Sequence, residues 1–272
     1  MGKVFKSVDE IQFNGVRFID ARFDLQDKEA GKKAFEEGHA TGAIYIDLEQ
    51  QLSDMDSKEG RHPMPSKEKL ASVFQELGLR YEDQIVVYDQ GAAPFAPPRA
   101  WWMLTYAGFP NVVIVNGGAP PALEAKIPFT KDIIKYPPPT IIEFDWKDEL
   151  YAPRQAVKAI VDGEVKATLL DARAAERYRG EVEPLDKVAG HIPTAKNFDW
   201  EQLKSNGQLK ANDALRQKVT PDEQVVVYCG SGVTASPLYA VLADEGYENI
   251  QLYVGSFSDW ITEYDVEKGT NE

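Results

Sequence analysis

The chain has 272 residues, 43% hydrophobic and 27% charged, the balance of a globular protein long enough for two domains. A net charge of −14 excludes nucleic acid as a partner, because phosphate binding needs a basic surface, and it obliges any anionic substrate to find a local cationic pocket. No run approaches the roughly 18 apolar residues that span a bilayer, and the start MGKVFKSVDEIQFNG lacks the apolar core of a signal peptide, so a cytoplasmic protein with no membrane contact is expected.

In chain order, short apolar runs predict buried strands at Arg17–Ala21, Ile85–Tyr88 and Val112–Val115. The stretch at 66–79 predicts a helix, with Ser66 as N-cap and Gly78 as stop. The segment 126–146 breaks the alternation; its Pro137–Pro138–Pro139 run cannot be helical. Strands follow again at Thr168–Asp171, Val225–Tyr228 and Ile250–Val254, with a helix over 236–247 that ends at Gly246. Alternating strands and helices predict an α/β fold whose mainly parallel sheets carry helices on both faces.

The halves repeat each other. FIDAR at 18–22 matches LLDAR at 169–173, GHATGAIYIDL at 38–48 matches GHIPTAKNFDW at 190–200, and IVVYD at 85–89 matches VVVYC at 225–229. Collinear matches at similar spacing indicate a duplication. Its units are residues 1–124 and 153–272, joined by a linker over 125–152. Asp20/Arg22 and Asp171/Arg173 recur in both units and are expected to be structural ion pairs; His191, matched by His39, is expected to share that character.

The second unit holds the only cysteine, Cys229, at the end of a predicted strand. Gly230, Ser231, Gly232, Val233 and Thr234 follow it and lead into a helix. Two glycines let the backbone curl its N–H groups inward as an anion nest at a helix start, which would depress the thiol's pKa and stabilise a persulfide. A phosphatase loop needs an arginine six residues after the cysteine, where Ala235 stands. A dithiol site needs a second cysteine, and a protease needs an adjacent histidine. Sulfur transfer through the thiolate remains. In the first unit Asp89 takes the cysteine's place, so that copy is expected to be non-catalytic and to form a cleft wall.

These residues carry a resemblance. CGSGVTA at 229–235, DARAAERYRGEVEP at 171–184, AGHIP at 189–193, PRAWWML at 98–104 and VGSFSDW at 254–260 make the chain resemble the tandem-domain rhodanese family. That resemblance implies two rhodanese-like domains, the second catalytic, and a Cys229 persulfide with no metal or organic cofactor. It implies a small anionic donor, 3-mercaptopyruvate or thiosulfate, and an acceptor such as cyanide, a thiol or thioredoxin. It further implies that Arg177, with Arg179 beside it, binds the donor's anionic group, and that a first-domain histidine, taken as His39, forms a relay with Ser231. The acidic member of that relay is left open, near Asp27. A second substrate-binding arginine is expected shortly after the pair, but Leu185, Asp186 and Lys187 stand there. The neutral Gly230 and Ser231 favour 3-mercaptopyruvate. Trp101 and Trp102 are expected in the first-domain core or at the interdomain contact, and the chain is expected to be a monomer. The alternative is a non-catalytic or redox-sensing tandem module.

Overall fold

The fold is described from a computed structural model over residues 4–90, 95–117, 120–139 and 143–270. The first domain is a five-stranded sheet of β1 (Phe5–Lys6), β2 (Val16–Asp20), β3 (Ile44–Tyr45), β4 (Gln84–Tyr88) and β5 (Val112–Val115), in the order β1-β5-β4-β2-β3. The second is a four-stranded sheet of β6 (Thr168–Asp171), β7 (Lys196–Asn197), β8 (Val225–Tyr228) and β9 (Ile250–Leu252), in the order β9-β8-β6-β7. All pairings within these sheets are parallel. Strand for strand, β5-β4-β2-β3 repeats as β9-β8-β6-β7. Tyr151 bridges Leu252 where β1 lies beside β5. The duplication is therefore one of topology.

It also holds at atomic detail. Arg22 forks onto Asp20 and donates to the Gly38 carbonyl at 2.8 Å; Arg173 forks onto Asp171 and donates to the Gly190 carbonyl at 2.7 Å. The backbone N–H of Ala40 donates to the Tyr88 hydroxyl, and that of Ile192 to the Tyr228 hydroxyl, each at 3.2 Å. These buried ion pairs fasten the strand ends to the following loop in both copies, in the structural role the repeat suggested. Because each arginine also reaches a carbonyl, removing one partner would leave several buried groups unsatisfied.

Period-two alternation sends strand residues to opposite faces of each sheet. Ile19, Ile85 and Val87 of the first sheet share one buried cluster with Leu170, Val225 and Val227 of the second, while Phe18, Val86 and Leu169, Val226 fill separate outer clusters. One apolar core thus runs through both inner faces. Between them lie the helices α1 (Lys67–Glu76), α2 (Ala96–Tyr106) and α3 (Ala235–Asp244). α1 starts as expected, with the Ser66 side chain accepting the Lys69 N–H. α2 tolerates Pro97 and Pro98 because the first helical turn needs no N–H partners. Trp101 and Trp102 are buried there, each with its ring centroid 6.3 Å from that of Tyr239 on α3, so they serve core and interdomain contact at once.

The expected linker lies along the first domain. Phe129–Thr130 pairs antiparallel with His39–Ala40, and the Tyr136 hydroxyl donates to the Gly42 carbonyl at 3.0 Å. Among the described residues no helix is long and apolar enough to cross a membrane.

Candidate active site

β8 is buried along its whole length and ends at Tyr228, which delivers Cys229 to the carboxyl edge of the sheet, where open α/β sheets bind ligands. The thiol lies at the bottom of its loop and is 1% exposed. The Gly232 N–H points at Sγ at 3.1 Å, a donor aimed at the sulfur that would carry charge. The Cys229 N–H donates to Ser256 Oγ at 3.1 Å, and that hydroxyl donates to the Tyr253 carbonyl at 2.8 Å. Phe257 and Ser258 N–H groups donate to the Cys229 and Gly230 carbonyls, turning those oxygens away from the loop interior. Ser256 does this from the left-handed region, at φ +57°, strain held in place by the four hydrogen bonds around it.

Two glycines are needed here for different reasons. Gly232 has φ +76°, and a Cβ on it would come 2.1 Å from the Val254 carbonyl oxygen. Gly230 is constrained by neighbours: a Cβ there would lie 2.6 Å from Arg61 Nη2 and 3.4 Å from Arg177 Nη2. Two guanidinium groups therefore close on the first residue after the thiol. Val233 is buried in the shared core and Thr234 precedes α3.

Ser231 makes its contact across the domain interface. Its Oγ lies 2.8 Å from His62 Nδ1, and His62 Nε2 lies 3.3 Å from Glu49 Oε1. Glu49 is in turn paired with Lys28 at 2.7 Å. A carboxylate at Nε2 fixes that nitrogen as the donor, so Nδ1 accepts the Ser231 hydroxyl. Burial, reinforced by the nearby Arg99 charge, pushes His62 down to about 4, so the ring is neutral at physiological pH.

The histidine set against Ser231 is thus His62, and the expected His39 is corrected. His39 is wholly buried, stacked on Phe35 at 3.8 Å, with its ring nitrogens 2.7 Å from the Phe35 carbonyl and 3.3 Å from the Asp132 carbonyl. His191 repeats that arrangement on Tyr178, again at 3.8 Å, with Nδ1 2.7 Å from the Tyr178 carbonyl. A histidine used identically in both copies is a packing element. The acidic partner is Glu49, not a residue near Asp27.

The cations are distributed unevenly. Arg177 donates to Glu183 at 2.7 Å and reaches Asp186 at 3.4 Å. Arg61 pairs with Asp186 from the first domain, and its N–H donates to Ser258 Oγ at 3.1 Å. Arg179 turns instead to Glu181 at 2.7 Å, in an exposed pair, and is not part of this group. Lys187 is exposed. Below the loop, Arg99 at the start of α2 is wholly buried; it donates to the Leu52 carbonyl at 3.0 Å, the His62 carbonyl at 3.3 Å and the Gly232 carbonyl at 3.4 Å. Burial pushes its guanidinium down to about 10. Asp89, at the matching place in the first domain, is buried at the end of β4, while residues 91–94 of its expected loop lie outside the described residues.

Sequence reasoning missed His62, Glu49, Arg61 and Arg99. The signal was asymmetry: GRHPMP at 60–65 has no counterpart in the second half, so His62 is the histidine that the repeat does not explain.

The Rhodanese-like domain profile matches residues 6–121 and 152–263. The chain is 37% identical over 257 residues to a probable 3-mercaptopyruvate sulfurtransferase of Pseudomonas aeruginosa, covering 90% of this chain and 89% of that one. It is 39% identical over 259 residues to the putative thiosulfate sulfurtransferase SseB of Mycobacterium tuberculosis, covering 90% and 87%. Among solved structures, SseA from Escherichia coli, described as a 3-mercaptopyruvate sulfotransferase, superposes with a TM-score of 0.78 at 31% identity, covering 94% of this chain and 99% of that one.

Proposed function

Because the chain belongs to the rhodanese-like family, we propose that it is a sulfurtransferase that carries sulfane sulfur as a persulfide on Cys229. The observation that carries this reading is the thiol itself, seated in a glycine loop with the Gly232 N–H directed at Sγ at 3.1 Å. A thiolate there attacks the donor's terminal sulfur. With 3-mercaptopyruvate an S–S bond forms, the donor's C–S bond breaks, and its electron pair leaves as the enolate of pyruvate. The donor's S–H proton passes to Ser231 Oγ as the serine proton moves to His62 Nδ1, then returns to the enolate carbon by the same route. With thiosulfate the leaving group is sulfite and no proton has to move.

The persulfide then yields its outer sulfur to a nucleophile: cyanide in an assay, a small thiol or a protein thiol in a reducing compartment such as the cytoplasm. The Gly232 N–H stabilises charge on Sγ, and the reading requires no metal or cofactor. The neutral Gly230 and Ser231 favour 3-mercaptopyruvate as donor, with thiosulfate second. Intact-mass measurement after donor treatment tests the reading. One added sulfur, removed by cyanide and absent in Cys229→Ser, is expected; an unmodified wild-type chain would leave a binding module instead.

A further inference from the structure

The cations expected to hold the donor are already neutralised. Arg61, Arg173 and Arg177 face Asp171, Glu183 and Asp186, three charges of each sign, in one connected group beside Gly230. Glu183 and Asp186 are nearly shut off from water, with side chains 3% and 4% exposed. Asp186 stands between the domains, bridging Arg61 of the first and Arg177 of the second. It also occupies the stretch in which a second arginine was expected, so this chain supplies that cation from the other domain and adds a carboxylate.

We propose that Asp186 is a specificity-determining residue: by cancelling one of the two positive charges of the Arg61–Arg177 pair, and so completing the neutrality of the cluster, it makes the site accept a singly charged carboxylate donor and resist a dianion. The inference rests on the sulfurtransferase reading. A monocarboxylate takes the place of Asp186 on the same guanidinium groups, carboxylate for carboxylate, and adds one negative charge to the neutral cluster. Thiosulfate brings two negative charges into a neutral cluster within a protein of net charge −14. In a partly desolvated site one uncompensated unit charge at contact range is large enough to decide between donors. Asp186 acts through the arginines and is a positioning residue. Removing its charge is tolerable, because Arg177 keeps Glu183 and the Arg61 side chain is 29% exposed.

The test compares wild type, Asp186→Asn and Asp186→Glu. In Asp186→Asn the ratio of kcat/KM for thiosulfate to that for 3-mercaptopyruvate rises at least about tenfold, mainly through KM, and Asp186→Glu keeps the wild-type ratio. An unchanged ratio, or equal losses for both donors, overturns the proposal. A second measurement needs neither turnover nor a variant: protection of Cys229 from iodoacetamide in wild type by pyruvate and by sulfate. Pyruvate protects at a concentration at least about tenfold lower; sulfate protecting as well or better overturns the proposal. Absence of any persulfide from either donor would instead sink the sulfurtransferase reading, while the protection order still decides the role of Asp186.

Discussion

Ser231 Oγ and His62 Nδ1 lie 2.8 Å apart although they belong to different domains. On the proposed mechanism the pair acts only when the donor carries a proton. His62→Gln and Ser231→Ala should therefore lower kcat/KM for 3-mercaptopyruvate by roughly 10²-fold or more, the usual scale of acid–base assistance. Thiosulfate transfer to cyanide should change by less than about fivefold. Steady-state kinetics with both donors check this; equal losses would make the pair structural. His39→Gln should lower the melting temperature and leave the donor ratio unchanged.

Protonation of His62 gives a stability signature with a definite sign. Its folded-state pKa is depressed from 6.5 to about 4, with burial the largest cause. Above pH 6.5 neither state holds the proton, so the full stability is present. As pH falls from 6.5 towards 4 the unfolded chain binds a proton that the folded chain refuses, and stability is lost. Between pH 7 and pH 5 this group should cost about 2 kcal/mol. Urea denaturation at the two pH values should show a smaller loss in His62→Gln than in wild type.

Arg99 reaches three carbonyls at once, one on each of Leu52, His62 and Gly232. It therefore ties the relay segment to the cysteine loop from below. Lysine cannot reproduce a planar fork. Arg99→Lys should lose about 2–3 kcal/mol by denaturant titration and lower kcat for both donors alike, because it disturbs loop position and not donor charge.

Gly232 and Gly246 are both left-handed, at φ +76° and +91°, but only Gly232 is crowded: a Cβ there would meet the Val254 carbonyl at 2.1 Å, whereas nothing lies within 4 Å at Gly246. Gly246→Ala should cost about 1 kcal/mol and leave transfer intact. Gly232→Ala should abolish persulfide formation by mass measurement, since the loop must move to admit the methyl.

What the sequence made legible was local. The buried strands announced themselves as β-branched runs, and Cys229 as a lone thiol ahead of a Gly-x-Gly turn, because strand burial and loop chemistry depend on neighbours in the chain. The duplication is legible too, and with it the ion pairs Asp20/Arg22 and Asp171/Arg173 that both copies share. His62, Glu49, Arg61 and Arg99 are not, because their roles depend on how α2 docks against α3. Only that docking carries a first-domain loop over Cys229. His39 misleads for a specific reason: it recurs as His191 and packs in both copies, whereas His62, which reaches Ser231, has no repeat partner.

The apolar cluster shared by Leu170, Val225 and Val227 with Ile19, Ile85 and Val87 sets the size of the cooperative unit. Neither half owns a complete interior, so the second domain alone would leave its α3 face in water. The two domains should then unfold together, so that heat or denaturant separates Arg61 from Asp186 and His62 from Ser231 as it opens the thiol loop. The copy that carries Asp89 in place of a cysteine supplies half of the other copy's interior.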